Sequence, residues 1–138
     1  MSDITASYFS PSGAQDLGSQ ANRVGNIWSA CPSVSQGTSV STAVTLNGTS
    51  GKIVMFAGTI AAANGLATFT LNNTAIGTGS TVEVAITDFA GTYSTNGLPM
   101  VLGAKTVAAG SVSITVINIH ASNATGANSV TLAFTVTG

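Results

Sequence analysis

The sequence has 138 residues, which is enough for one domain of ordinary size and too few for two. Only 5% of its residues are charged, against about 25% in a typical soluble domain, and its formal net charge is -1. With three lysines and arginines in all, we expect no basic face for nucleic acid. A mean hydropathy of +0.45 also argues against intrinsic disorder, which combines low hydropathy with high charge.

The sequence carries no signal for secretion or for a membrane anchor. Its first residues contain no basic region followed by an apolar core, and its longest apolar runs are well short of the ~20 residues that span a bilayer. The one cysteine, Cys31, allows no intrachain disulfide. We therefore expect a protein that is made in a cytoplasm and has no membrane partner.

Residues 1–37 are predicted to form an extended N-terminal arm. They are rich in Ser, Gly, Gln and Asn, and their sparse apolar residues show no sustained period of 2 or of 3.6. Trp28, the only tryptophan of the chain, lies in this segment. We expect its ring to be buried against the body of the protein or against a neighbouring subunit, because an exposed indole forgoes a large apolar contact area.

Residues 38–138 are predicted to form an all-β domain, an antiparallel β-sandwich. Apolar and polar residues alternate over short runs, and turns rich in Gly and Asn separate these runs at intervals of roughly 8–12 residues. Alternation gives each strand one apolar face, which suits two antiparallel sheets packed face to face. The predicted strands cover residues 40–46, 53–60, 67–71, 82–87, 99–102, 105–107, 112–116 and 130–136.

One phase of the alternation is predicted to face the core. Residues 53–60 are apolar in both phases, and there we place Phe56 inside. Near Asn118 the alternation slips by one residue, so we expect a bulge or the end of a strand at that position. The predicted core residues are Val44, Leu46, Phe56, Phe69, Leu71, Val82, Val84, Ile86, Val112, Ile114, Val116, Leu132 and Phe134.

The sequence contains no group of residues that assigns a reaction. His120 is the only histidine, and no Gly-x-Ser-x-Gly motif accompanies it to suggest a Ser-His-Asp triad. Glu83 and Asp88 are five residues apart, so on a regular strand they point to opposite faces and cannot flank one cleft without a bulge. One histidine, one cysteine and four acidic residues are too few for a clustered metal site. We predict a protein that is not an enzyme and binds no cofactor and no metal.

Residues 42–136 resemble a family of virion proteins. The resemblance is carried by residues 50–54 (SGKIV) and 80–86 (STVEVAI), and most specifically by the two closing strands, residues 110–118 (GSVSITVIN) and 130–136 (VTLAFTV). These segments are similar to small jelly-roll or β-sandwich structural proteins of tailed bacteriophages, notably those of phages that infect aquatic bacteria and cyanobacteria. Members of this group decorate capsids or form the tips of tail fibres.

The resemblance implies a jelly-roll-like domain that forms a homotrimer on the capsid exterior of a virion. There it would be a decoration (cement) protein that binds and stabilises neighbouring major capsid subunits. The arm favours this role, because 37 extended residues reach up to roughly 120 Å, enough to cross between subunits. Tyr8, Phe9 and Trp28 are then the partner-binding anchors of the arm, unless they pack on the protein's own body.

Two other classes of function stay open at the level of the sequence. The first is a receptor-binding tail-fibre or baseplate domain that recognises a ligand on the host surface. It calls for exposed aromatic side chains such as Tyr93, which lies in the predicted loop at residues 91–97. The second is a carbohydrate-active sandwich enzyme, which would need Glu83 and Asp88 to act together.

Overall fold

A computed structural model describes residues 31–138, apart from the side chain of Lys105. Within these residues the protein is all-β, as the sequence predicts, and contains no helix. The alternating pattern explains this outcome, because period-2 runs of Val, Ile, Thr and Phe fit a pleated, half-buried strand. The strands are β1 Ser33–Ser35, β2 Val44–Thr45, β3 Ser50–Val54, β4 Gly65–Asn72, β5 Thr81–Phe89, β6 Pro99–Ala108, β7 Ser111–Asn118 and β8 Val130–Thr137.

The strands form two four-stranded sheets, consistent with the predicted sandwich. The first sheet has the order β1-β3-β8-β5 and the second sheet has the order β2-β4-β7-β6. Both sheets are mixed: the longer strands pair antiparallel, as predicted, whereas β1 runs parallel to β3 and β2 runs parallel to β4. Between β1 and β3 the chain crosses to the second sheet and returns, and a crossover connection of that kind permits parallel pairing. The jelly-roll connectivity stays a prediction.

The first sheet includes residues that the sequence assigned to the arm. Ser33, Val34 and Ser35 pair with residues 52–54 of β3. The next residue, Gln36, is buried, and its side-chain Nε2 donates to the carbonyl oxygen of Thr42 at 2.7 Å. Its Oε1 accepts from the backbone N–H of Phe56 at 3.0 Å. The sheet therefore begins before the predicted boundary at residue 38, and residues 1–30 of the predicted arm lie outside the described residues.

The core lies between the two sheets and contains most of the residues that the sequence predicts. Of the predicted set, Leu46, Val84 and Ile86 are only partly buried and pack against the core. Further core residues that the prediction left out complete the interior. The buried apolar residues are Val44, Ile53, Met55, Ile60, Ala67, Phe69, Leu71, Ile76, Val82, Phe89, Val112, Ile114, Val116, Val130, Leu132, Phe134 and Val136.

Phe56 is the one predicted core residue that the structure puts on the outside. Its side chain is 36% exposed, whereas Met55 is 1% exposed. The pairing of β3 with β8 sets Ile53 opposite Leu132, which fixes residue 53 as inward. Alternation then brings Met55 inward and turns Phe56 outward. Both phases of this segment are apolar, so its own pattern could not choose between them.

The end of β7 and the bulges of β6 occur where the alternation of apolar and polar residues in the sequence is interrupted. β7 ends at Asn118, where the slip in alternation predicts a bulge or a strand end. The two short strands predicted at residues 99–102 and 105–107 are instead one strand, β6, with register shifts between Val101 and Gly103 and between Ala104 and Thr106. Bulges let β6 stay paired with β7 although its own alternation is interrupted.

Separate substitutions of Met55 and Phe56 test which of the two side chains faces the core in the segment after β3. Met55→Ala removes a fully buried side chain and should lower the free energy of unfolding by about 2–5 kcal/mol. Phe56→Ala trims a side chain that already contacts water, so its loss should be less than half as large. Urea unfolding followed by circular dichroism measures both values. A larger loss for Phe56→Ala than for Met55→Ala would contradict the inward phase described here.

Candidate interaction surfaces

The three anchors predicted in the arm are not part of the described structure. Tyr8, Phe9 and Trp28 all lie in residues 1–30, outside the described residues. Their role in partner binding therefore stays a prediction. The surfaces described below belong to residues 31–138.

Three loops meet at one end of the sandwich, and Asn118 holds them together. These loops connect β3 to β4, β5 to β6, and β7 to β8. The Asn118 side chain is 0% exposed, and its Oδ1 accepts from the backbone N–H groups of Leu98 at 2.8 Å and His120 at 3.2 Å. Its Nδ2 faces three carbonyl oxygens, those of Asn123 at 2.9 Å, Ala61 at 3.1 Å and Ile60 at 3.2 Å. We call this region the loop end.

An asparagine suits this position because the amide combines donors and acceptors without charge. A carboxylate there would face three carbonyl oxygens with no proton to offer, and an aliphatic side chain would leave buried backbone groups without partners. Gly97 lies against the same amide. A Cβ added at Gly97 would come within 3.0 Å of the Asn118 side chain, and the φ of Gly97 is +86°, a conformation that favours glycine.

A second layer of hydrogen bonds fixes the loop between β7 and β8. The buried Thr125 Oγ1 accepts from the backbone N–H of Ile60 at 2.8 Å. His120 Nδ1 accepts from the backbone N–H groups of Ser122 at 3.2 Å and Asn123 at 2.9 Å. His120 therefore shapes a tight turn through a ring nitrogen that acts as an acceptor. The sequence singled out His120 as the only histidine, and the structure assigns it this structural contact.

Tyr93 projects into solvent from the loop between β5 and β6. Its side chain is 53% exposed, and its ring centroid lies 5.3 Å from that of Phe89, which anchors the base of the loop. The loop is closed by paired contacts in which Thr92 N–H donates to Asn96 Oδ1 at 3.0 Å and Asn96 N–H donates to the Thr92 carbonyl at 2.8 Å. The closed loop therefore presents an exposed aromatic side chain whose ring lies beside that of Phe89.

The loop that bears Tyr93 is also tied to its neighbour across the loop end. Ser94 adopts a positive φ of 72°, which is uncommon for a residue with a Cβ. Its carbonyl oxygen accepts from Asn123 Nδ2 at 2.7 Å. The bond joins the loop between β5 and β6 to the loop between β7 and β8, so the position of Tyr93 depends on both loops.

The outer face of the first sheet carries the charged residues of that sheet. Lys52 on β3, Glu83 on β5 and Asp88 on β5 are all exposed. A register shift between Ile86 and Asp88 turns Asp88 to the same face as Glu83, so the bulge that the sequence argument required is present. The two acids pair with Thr135 and Thr131 of β8, which sets them about 13 Å apart along the strand. A shallow depression of about 380 Å³ on this face is lined by Glu83, Val84, Ala85, Ala133 and Thr135, and Asp88 is not part of it.

The outer face of the second sheet is apolar at one end, the end that adjoins the loop end. Leu66, Ile117 and Met100 lie directly opposite one another on β4, β7 and β6. Leu66 is 61% exposed and Leu102, at the first bulge of β6, is 63% exposed. We call these four residues the apolar patch. Exposed large side chains grouped on one face commonly mark a protein interaction site.

A shallow depression lies within this face. Its volume is about 270 Å³, and it is lined by Leu66, Thr68, Leu102, Gly103 and Thr115. The hydroxyl groups of Thr68 and Thr115, which line it, are hydrogen-bonded to each other at 2.9 Å. Gly103 has a φ of +95°, as the bulge requires, and leaves the depression open.

The apolar patch is only partly visible in the sequence. The run at residues 66–71 alternates Leu, Ala, Thr, Phe, Thr, Leu, so Leu66 falls in the outward phase together with Thr68 and Thr70. An outward leucine stands out among threonines. Its grouping with Met100 and Leu102 could not be read from the chain, because it depends on which strands pair.

Among the described residues, no group of three or more His, Cys, Asp or Glu side chains lies close enough to hold a metal ion. In the same part of the chain, no helix is long and apolar enough to cross a bilayer.

Replacement of Asn118 by aspartate tests its role at the loop end. Asn118→Asp keeps the size of the side chain and removes both N–H donors, so three carbonyl oxygens face a carboxylate. We expect the free energy of unfolding to fall by about 3 kcal/mol or more. The matched control is Asn72→Asp on the exposed end of β4, which should change it by less than about 0.5 kcal/mol. If urea unfolding shows equal losses of free energy of unfolding for the two variants, Asn118 does not hold the three loops together as described.

Three comparisons place the chain against known proteins. No protein-family model matches the sequence, and no curated protein matches it. No solved structure matches the chain either.

Proposed function

We propose that this protein is a structural component of a phage virion, a capsid decoration protein that binds and stabilises neighbouring major capsid subunits. The observation that carries the proposal is the apolar patch on an almost uncharged sandwich. Exposure of Leu66 and Leu102 to water is unfavourable in free energy, and an assembly that covers the two side chains removes this cost. The resemblance of the closing strands to virion sandwich proteins points to the same class.

A decoration protein acts as a clamp that holds neighbouring capsid subunits together, and the chain fits the physical requirements of that role. Packed DNA pushes capsid subunits apart, and a clamp resists by contacting several subunits at once, so that each bound contact raises the effective concentration of the next. Contacts of this kind depend on apolar and backbone groups, with aromatic side chains seated in pockets. Tyr8, Phe9 and Trp28 of the arm are the proposed anchors.

A clamp must resist force without unfolding, so a rigid domain at residues 31–138 suits this role. The loops at the loop end are joined through the buried Asn118, and the loop after β1 is joined to the end of β3 through the buried Gln36. These bonds are made by neutral amides, whose strength depends less on ionic strength than that of exposed ion pairs. We therefore propose that the body acts as a rigid block from which the arm reaches its partner.

Binding to particles that lack the protein tests the proposal. Purified full chain is mixed with capsids made without it, and the pelleted complex is quantified across a titration. We expect saturable binding and a rise in the temperature at which the capsids break open. A variant with Tyr8→Ala, Phe9→Ala and Trp28→Ala should bind at least about tenfold more weakly, because large aromatic anchors dominate such contacts.

The control for this experiment is Tyr93→Ala, which removes one exposed aromatic side chain from the body. It should leave particle binding unchanged. A full chain that neither pellets with the capsids nor appears on them in an electron-microscopy map of the virion would overturn the proposal.

The alternative function is recognition of a host-surface ligand by a tail-fibre or baseplate domain. Tyr93 is the observation that favours it, since an exposed ring held on a closed loop is suited to stacking against a sugar or a flat apolar group. The neighbouring loop adds the polar side chain of Asn123, which bonds the Tyr93 loop at Ser94.

Adsorption to host cells distinguishes this alternative from the clamp. On this alternative, labelled full chain binds cells, and Tyr93→Ala reduces the binding at least about tenfold while the triple arm variant keeps it. If the full chain does not adsorb to cells, or if Tyr93→Ala adsorbs as well as the unaltered chain, this alternative is excluded.

A further inference from the structure

We propose that His120 makes the loop end sensitive to pH. Uptake of a proton by its ring opens the turn at residues 120–123 and releases that turn from the loop that bears Tyr93. His120 is then a positioning residue for the Tyr93 loop, a role that goes beyond the proposed function and needs no partner. It depends only on hydrogen bonds within residues 31–138.

The turn at residues 120–123 is closed by one ring nitrogen. His120 Nδ1 accepts from the backbone N–H groups of Asn123 at 2.9 Å and Ser122 at 3.2 Å. A ring nitrogen can accept only while it carries no proton, so the ring in this arrangement is neutral and its proton lies on Nε2. The closed turn therefore requires the neutral form of His120.

A proton on Nδ1 converts this acceptor into a donor. Three N–H groups would then point at one another with no acceptor between them, and the backbone N–H groups of Ser122 and Asn123 would lose their partner. His120 is half-buried, so its charged ring can reach water by turning outward. Because an imidazole gains its proton between about pH 8 and pH 5, the turn opens as the medium becomes mildly acidic.

Asn123 connects this turn to the rest of the loop end. Its backbone N–H bonds the His120 ring, and its carbonyl oxygen accepts from Asn118 Nδ2 at 2.9 Å. Its side-chain Nδ2 donates to the carbonyl oxygen of Ser94 at 2.7 Å, next to Tyr93. One residue therefore bonds the ring that titrates, the buried amide and the Tyr93 loop. Displacement of Asn123 when the turn opens removes the tie at Ser94, so any contact made by Tyr93 becomes sensitive to pH.

The three loops of the loop end contain no charged side chain that could pair with a protonated ring. They cover residues 55–64, 90–98 and 119–129, and their titratable side chains are those of His120 and Tyr93. A phenol titrates near pH 10, far above the range of an imidazole. Within these loops, proton uptake by the ring therefore costs two backbone hydrogen bonds and forms no ion pair.

The strands that lead into these loops carry few charged residues. β4, β7 and β8 contain none. Asp88 lies one residue before the end of β5 and Lys52 lies two residues before the end of β3, both on the outer face of the first sheet. Glu83 lies further from the loop end along β5, and Lys105 lies further from it along β6. Asp88 is therefore the acidic group whose titration the experiment must separate from that of His120.

Nuclear magnetic resonance of the full chain at about pH 7.5 and about pH 5 tests the role of the ring. At the higher pH, the ring nitrogen shifts should show a neutral ring with its proton on Nε2. At the lower pH, the backbone amides of Ser122 and Asn123 and the side-chain amide of Asn123 should lose protection against exchange with water by at least about tenfold. Protection is the exchange rate relative to that of an unstructured chain at the same pH. The core amides of Phe69 and Ile114 should keep theirs.

Two variants identify the group that titrates. His120→Asn replaces the ring with a neutral amide whose oxygen can accept from the same backbone N–H groups, so its turn should stay closed at both pH values. Asp88→Asn should open like the unaltered chain. The inference is overturned if the unaltered chain keeps its protection at about pH 5, or if Phe69 and Ile114 lose theirs as well. Opening that persists in His120→Asn, or that disappears in Asp88→Asn, would also overturn it, because another group would then control the turn.

Discussion

Backbone groups in the loops must find hydrogen-bond partners, and this chain has almost no charged side chains to supply them. Neutral amides and hydroxyls supply them instead, from positions that are buried. Asn118 joins three loops at one end of the sandwich, and Asn73 bonds both the N–H and the carbonyl of Gly48 near the other end. Gln36 joins the loop after β1 to the end of β3. These few side chains add to the backbone hydrogen bonds between the loops and join segments that are far apart in the chain.

The two outer faces of the sandwich differ in chemistry although the strands beneath them are alike. Lys52, Glu83 and Asp88 mark one face, and the apolar patch around Leu66 and Leu102 marks the other. The difference has a physical consequence, because a charged face stays hydrated while an apolar face gains by being covered.

Particular residues show how far the sequence could predict the structure. Alternation placed Phe69, Ile114 and Leu132 in the core, because a period of 2 with one apolar phase has a single interpretation. The same rule failed at Phe56, where both phases are apolar and pairing with β8 made the choice. In the sequence, Asn118 is marked only by a slip in the alternation. Its role in joining three loops depends on segments that lie far apart in the chain.

The sequence by itself determined the class of fold and the scarcity of charge. Short alternating runs separated by Gly and Asn turns can bury apolar surface in few ways other than as packed sheets. The tertiary structure alone decided the direction of β1 and β2, the common face of Glu83 and Asp88, and the grouping of Leu66 with Met100. The reason is that strand pairing and bulges join residues distant in the chain, whereas a sequence pattern reports only the order of neighbours along one strand.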